Sequence, residues 1–364
     1  MGYSSRSVTE INLLASNVKK FTASESTTWY IDNNNDLYGC GRGYNGQQGA
    51  GDKPTMVKTF TKRASNVRDI SCSNQTTFYI DNNNDLYGTG NNSYGQQGDG
   101  TTTQVNTFTK RASNVKKVIS DRESTWYLTN DGNLYGCGWN TYGSHGTGST
   151  GGNILTFTKR ASNVKDFESG GQTPTFYITN NGDLYGCGRN NNGQLGNGNK
   201  TDTATFAKLA SNVKEIHSRS NTTFYIDNNN DLYGCGWNTY GQQGSGTTED
   251  VLTFTKRASN IKDFDCISNY TTWYIDNNND LYGCGSSSSG QQGSGNTDNV
   301  LTFTKRAENV KILGKGMYSI NTIYLNNNNE LYICGYNSYG QILDGTTNNA
   351  LEFTQIKLPK LTEE

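Results

Sequence analysis

One five-residue string returns seven times along this chain: LYGCG at 37, 134, 184, 232 and 281, LYGTG at 86, and LYICG at 331. Successive leucines lie 49, 48, 50, 48, 49 and 50 residues apart. A period near 49 belongs to solenoids and propellers, where each repeat is one small unit that buries its apolar surface against its neighbours. The repeats occupy nearly the whole length, so a single domain over residues 1–364 is expected.

Each repeat reads as four short strands, labelled here on the second copy. Strand A is Asn66–Ser71, B is Thr77–Ile80, C is Leu86–Gly90 and D is Thr107–Lys110. In B, Phe78 and Ile80 share one face and Thr77 and Tyr79 the other, the two-residue alternation of a strand packed between layers. The B–C connection is DNNND in most copies but contains Asp131-Gly132 and Asn181-Gly182 in two, which marks a tight hairpin turn. Four antiparallel strands repeated seven times predict an all-β, seven-bladed β-propeller. A distributed core also explains how a chain with only 32% apolar residues folds, and 43 Gly against 3 Pro suits many turns. The segments Glu10–Asn17 and Leu351–Ile356 both resemble strand D, so one of them is expected to complete a blade shared by the two ends. The other would be spare.

Strand C and the loop after it carry a family likeness. Leu184-Tyr185-Gly186-Cys187-Gly188-Arg189-Asn190-Asn191-Asn192-Gly193-Gln194-Leu195-Gly196 resembles the signature of the regulator of chromosome condensation repeat. The loop part recurs as GQQG at 46, 95, 241 and 290, GSHG at 143, GQLG at 193 and GQIL at 340. The resemblance implies a seven-bladed propeller. It carries no single activity, since the family includes exchange factors, chromatin binders, enzyme inhibitors and bacterial effectors. Among bacterial relatives, the architecture is similar to the β-lactamase inhibitory protein of the second type, which binds an enzyme with loops on one face. The family's Trp before the glycine is here Cys40, Cys137, Cys187, Cys235, Cys284 and Cys334, and its Gly-x-x-His run is mostly replaced by segments such as Ser71–Asn74.

Those six cysteines hold one position in different blades, too far apart for disulfides, and should be reduced, small core residues; Cys72 and Cys266 stand apart from them. Eight unpaired thiols favour a reducing, cytoplasmic compartment, with a secreted or host-delivered form as the alternative. No CxxC supports zinc, no EF-hand pattern supports calcium, and no cofactor is implied. His145 and His217 have no nucleophile motif around them and are expected to be solvated loop or sheet-end residues. With neither catalytic motif nor catalytic cluster in view, the protein is expected not to be an enzyme.

A net charge of −1 and pI near 6.2 remove the overall positive field of a nucleic-acid binder. No apolar run has membrane-helix length, so a soluble protein without a membrane partner is expected. Lys62-Arg63, Lys110-Arg111, Lys159-Arg160, Lys256-Arg257 and Lys305-Arg306 lie at D–A turns. Alternating strand direction puts them on the same face as the DNNND carboxylates, and a self-neutralised, solvated rim is expected.

The opposite face carries the A–B and C–D loops, where the copies differ most. Its C–D loops present Arg42, Tyr44, Tyr94, Trp139, Tyr142, Arg189, Trp237, Tyr240, Tyr336 and Tyr339. Trp, Tyr and Arg dominate interface hot spots because they join large rigid area to a polar handle. The expected function is a monomeric, non-enzymatic scaffold that binds a protein through this face. Carbohydrate binding and self-assembly through the spare strand are the alternatives.

Overall fold

The computed structural model describes residues 15–52, 55–169, 174–219, 221–268, 270–314 and 320–356. Their strands form seven four-stranded sheets, each built from four strands consecutive in sequence. In the second sheet A is Val67–Cys72, B is Thr76–Asp81, C is Leu86–Gly90 and D is Val105–Ala112. The expected strands are all present, with D longer than its apolar pattern suggested.

Register explains the recurring string. Strand B pairs with C so that Phe78 lies opposite Gly88, Tyr79 opposite Tyr87 and Ile80 opposite Leu86. The Phe78 ring covers Gly88 so closely that a Cβ there would come within 2.3 Å of it. An aromatic or large residue across from a glycine is a recognised way to brace a strand pair. The seventh repeat supports this reading, because Ile323 replaces the aromatic residue and Ile333, directly opposite, replaces the glycine. On the other face of the sheet, Tyr79 stacks on Tyr87 with centroids 4.9 Å apart, and Phe108 of strand D meets Tyr79 edge-on.

The chain divides into two compact units. One comprises Leu13–Asn191 with Thr201–Val213 and holds sheets one to four. Its core lies between successive sheets: Phe78, Ile80 and Leu86 of the second sheet pack on Val115, Val118 and Tyr127 of the third, all buried. The other unit includes Asn192–Lys200 and Lys214–Glu364 and holds sheets five to seven. There Trp273, Ile275 and Leu281 pack on Val310, Leu313 and Tyr324 in the same way.

The shared blade expected from the two chain ends is not formed by the described residues. Ala350–Ile356 pairs with Leu331–Gly335 of its own repeat, the strand that precedes it in sequence. Of the other D-like segment, residues 10–14 lie outside the described residues.

Candidate functional site

In every repeat the B–C turn is shaped by backbone conformation. Asp81 Oδ1 accepts hydrogen bonds from the backbone N–H groups of Asn83 and Asp85, while Asn84 adopts φ 64°. Gly132 and Gly182 occupy this left-handed position in the two variant turns, at φ 74° and 81°. The last carboxylate of the turn then meets the lysine of the D–A turn: Asp36 with Lys62, Asp85 with Lys110, and Asp231 with Lys256 at 2.6 Å, Asp183 with Lys208 and Asp280 with Lys305 at 2.8 Å. The expected neutralised rim is present as these lysine pairs. The third repeat has Asn133 in place of the acid, and Lys159 has no ion pair among the described residues.

The arginines of the Lys-Arg pairs correct that expectation, because they are not rim residues. Successive side chains on a strand point to opposite faces. Arg111 is therefore carried inward, its side chain only 7% exposed, to reach Asp99 of the C–D loop at 3.3 Å. Burial lowers the pKa of Arg63, Arg111, Arg160, Arg257 and Arg306.

At the other end of each sheet, side chains of the C–D loop hold its backbone in place. Asn92 Oδ1 accepts the Gln97 N–H, and Asn92 Nδ2 donates to the Thr101 carbonyl. Gln96 accepts the Tyr94 N–H with Oε1 and donates through Nε2 to the Arg122 carbonyl in the next sheet's A–B loop. Gln47 makes the same bond to the Asn74 carbonyl. The A–B and C–D loops therefore share one end of the sheets, as expected. The strand C cysteines complete the anchoring as weak donors: Cys137 to the Gln96 carbonyl at 3.5 Å and Cys334 to the Gln291 carbonyl at 3.4 Å. All eight cysteines are free, and burial pushes the Cys72 thiol up to about 11.

These loops bring the candidate residues together in groups. In the first unit, Trp139 lies 6.3 Å from Tyr94 and meets Tyr142 edge-on at 5.4 Å, and the Arg189 guanidinium sits 5.2 Å over the Tyr142 ring. Arg42 covers Tyr44 at 5.7 Å, and both are exposed. In the second unit, Trp237 and Tyr240 meet edge-on at 5.5 Å, and both contact Tyr270, at 5.8 and 5.2 Å. Tyr336 and Tyr339 form a separate pair at 6.0 Å. Trp139, Trp237 and most of the tyrosines are half-buried, so each ring packs within its cluster and still presents area to solvent. Tyr270 was absent from the sequence expectation; its signal was an aromatic residue in an otherwise small, polar A–B loop.

Both histidines differ from expectation. His145 takes the position of the second Gln in GQQG, is fully buried, and stacks on Trp126 with centroids 4.6 Å apart. Burial, followed by the neighbouring Arg160 charge, lowers its pKa to about 3. His217 lies within strand Val213–Arg219, between Glu215 at 2.9 Å and Asp265 at 3.4 Å.

Family models of the regulator of chromosome condensation (RCC1) repeat match residues 67–96, 164–194 and 181–212. No curated protein matches the chain. Among solved structures, human WBSCR16 is similar at 17% identity and a TM-score of 0.65, over 82% of this chain and 85% of that one. Yeast RCC1 (Prp20), solved bound to Kap60, is similar at 17% identity and 0.64, over 98% of this chain and 91% of that one. The Prp20p structure from Saccharomyces cerevisiae gives 19% identity and 0.61, over 88% and 86%. This chain is an RCC1-like, seven-bladed β-propeller. At such identities the likeness to these RCC1-like structures extends to the fold, and the work done by the loops must be argued from the loops.

Proposed function

We propose that this RCC1-like propeller is a non-enzymatic scaffold that binds a protein partner through the C–D and A–B loops. The reading rests on one observation above others: Trp139 with Tyr94 and Tyr142, and Trp237 with Tyr240, are held on C–D loops already braced by the side chains of Asn92, Asn140, Asn238 and Gln242, and Tyr270 packs on the second pair. Rings fixed before binding lose little conformational freedom on docking, so more of their contact area appears as affinity. Prp20 is described as bound to Kap60 and as binding Gsp1p and histones, which is support by analogy of fold alone. Eight free cysteines support a reducing, cytoplasmic setting.

The test is quantitative affinity capture with the native protein and the Trp139→Ala/Trp237→Ala variant, followed by titration of the purified captured protein. The variant keeps the β circular-dichroism spectrum and loses about 2 kcal/mol or more of binding, roughly thirtyfold. Equal capture and equal affinity would remove the loop-face assignment.

A further inference from the structure

The third and fifth sheets carry the same two rings at the same two places: Trp139 and Trp237 directly follow strand C, and Tyr142 and Tyr240 directly precede the next glycine. Their charged surroundings are opposite. The Tyr142 ring already carries a cation, the Arg189 guanidinium at 5.2 Å, and Arg189 is the residue that directly follows strand C of the fourth sheet. The residue that directly follows strand C of the sixth sheet is Ser286, and no cation sits over Trp237 or Tyr240 among the described residues. The acids differ the other way round. Before strand D the third sheet's loop ends in Gly151-Gly152-Asn153, whereas the fifth ends in Thr248-Glu249-Asp250.

Those acids line a cleft. Lys200, Thr239, Thr248, Glu249, Asp250 and Leu252, all of the second unit, surround a solvent-open space of about 350 Å³. Thr239 stands between Trp237 and Tyr240 in sequence, so the cleft opens beside the two rings. Of its three charged residues, two satisfy each other: Lys200 Nζ donates to Asp250 Oδ2 at 2.7 Å. Asp250 is further engaged by the Asn238 N–H at 3.1 Å and by Asn192 Nδ2 at 3.3 Å.

Glu249 is the third. Its side chain is exposed, and its carboxylate makes no hydrogen bond or ion pair among the described residues. Its backbone is nevertheless held, because Asn238 Nδ2 donates to the Glu249 carbonyl at 3.0 Å. The cleft therefore presents one unmatched negative charge on a braced segment, next to two rings without a cation.

We propose that this cleft receives an arginine side chain of the protein partner, its guanidinium paired with Glu249 and stacked beside Trp237 and Tyr240; this rests on the loop-face reading above and gives the chemistry of the group bound there. A guanidinium is planar, forks onto a carboxylate and stacks on an aromatic face, as Arg189 sits over Tyr142 within the chain itself. A lysine ammonium is compact and strongly hydrated, and it gains less from both neighbours. A divalent cation wants several oxygen ligands, and the cleft has one unengaged carboxylate. The volume is at the low end of ligand clefts, about 300 to 1,000 Å³, which suits one long side chain.

The test uses fluorine NMR of the full chain labelled with 5-fluorotryptophan, whose 5 tryptophans give separate signals; Trp139→Phe and Trp237→Phe assign the two on the loops. The probes are acetyl-Gly-Arg-Gly-amide and its citrulline counterpart, which keeps the shape without the charge, titrated to millimolar concentrations at low salt. The arginine peptide is expected to shift the Trp237 signal saturably and to leave Trp139 in place. Citrulline, or Glu249→Gln in the protein, is expected to weaken binding about fivefold, and about 1 M salt to remove that difference. Thermal melts of Glu249→Gln should match the native protein, since its carboxylate touches nothing. Against the purified captured partner, the same variant is expected to lose about fivefold in affinity. The proposal is overturned if Trp237 shows no saturable shift, if citrulline or Glu249→Gln binds equally well, if the captured partner does not sense Glu249→Gln, or if N-acetylglucosamine shifts Trp237 at the same concentration. Loss of capture by Trp139→Ala/Trp237→Ala without any peptide response overturns this assignment and leaves the loop-face reading standing. Unchanged capture by that variant removes the loop-face reading itself, whatever the peptide does.

Discussion

The two ends of the sheets solve the same problem, closing seven similar strand pairs, in opposite ways. At the turn end the parts are interchangeable: Asn84 and Gly132 adopt the same left-handed backbone, and Asp–Lys pairs repeat from sheet to sheet with nearly constant geometry. At the loop end the scaffold repeats and the display does not. Asn92, Asn140, Asn238 and Asn337 each accept a backbone N–H five residues on, yet the residue just before them is Asn91, Trp139, Trp237 or Tyr336. Repeated bracing with varied display leaves one end free to diversify without loss of fold.

The largest effect should come from breaking the loop end where one repeat departs from the others. His145 is buried and neutral, and its pKa of about 3 lies far below the 6.5 of an unburied imidazole. Above pH 6.5 neither folded nor unfolded chain binds a proton there, so the residue adds no pH dependence. Between 6.5 and 3 the unfolded chain binds a proton that the folded chain does not, so stability falls as pH falls, by roughly 5 kcal/mol across the window. His145→Gln, the residue found at this position in four other repeats, should remove that slope. Urea unfolding at pH 8 and at several values down to 4 checks this: the pH 8 difference reports lost stacking on Trp126, and the change in slope reports the titration. Parallel slopes for native and variant would refute the assignment.

How much of this was legible in the sequence follows from the same contrast. Period, strand assignment and turn chemistry could be read because each depends on a few neighbouring residues: Phe78 facing Gly88, or Asn84 standing where Gly132 stands. The neutralised rim could be read because strand alternation alone puts D–A and B–C turns together. Burial across sheets could not. Arg111 is charged and follows Lys110, so sequence suggests a solvated pair, but the pleat sends the two side chains to opposite faces and Asp99 receives the arginine. His145 looked solvated because its loop is polar, although the loop folds over Trp126. Tyr270 was missed because its cluster joins loops 30 residues apart in sequence, Tyr240 and Tyr270.

The turn end should respond less, and according to backbone conformation rather than residue identity. Asn84→Gly should be close to neutral, since Gly132 and Gly182 already serve in this role. Asn84→Ala should cost about 1 kcal/mol, because alanine has no local hydrogen bond to offset the left-handed strain. Equal melting temperatures for the two variants would mean that φ does not govern this turn.

Smallest of all should be the effect of removing one rim pair. Lys110 holds the Asp85 carboxyl below its usual range, helped by Ser113, and Asp85 in turn raises the Lys110 pKa. The Asp85 contribution is present above pH 3.8 and is lost as pH falls below it, while that of Lys110 is present below pH 10.5 and is lost as pH rises through its raised value. Both groups lie in solvent, where ordering two side chains and salt screening offset most of the attraction. Asp85→Asn should therefore lower the melting temperature less than Asn84→Ala does, and the difference should vanish in about 1 M salt. A larger, salt-independent loss would make the Asp–Lys pairs, rather than the left-handed Asn and Gly residues, the feature that holds the turn end together.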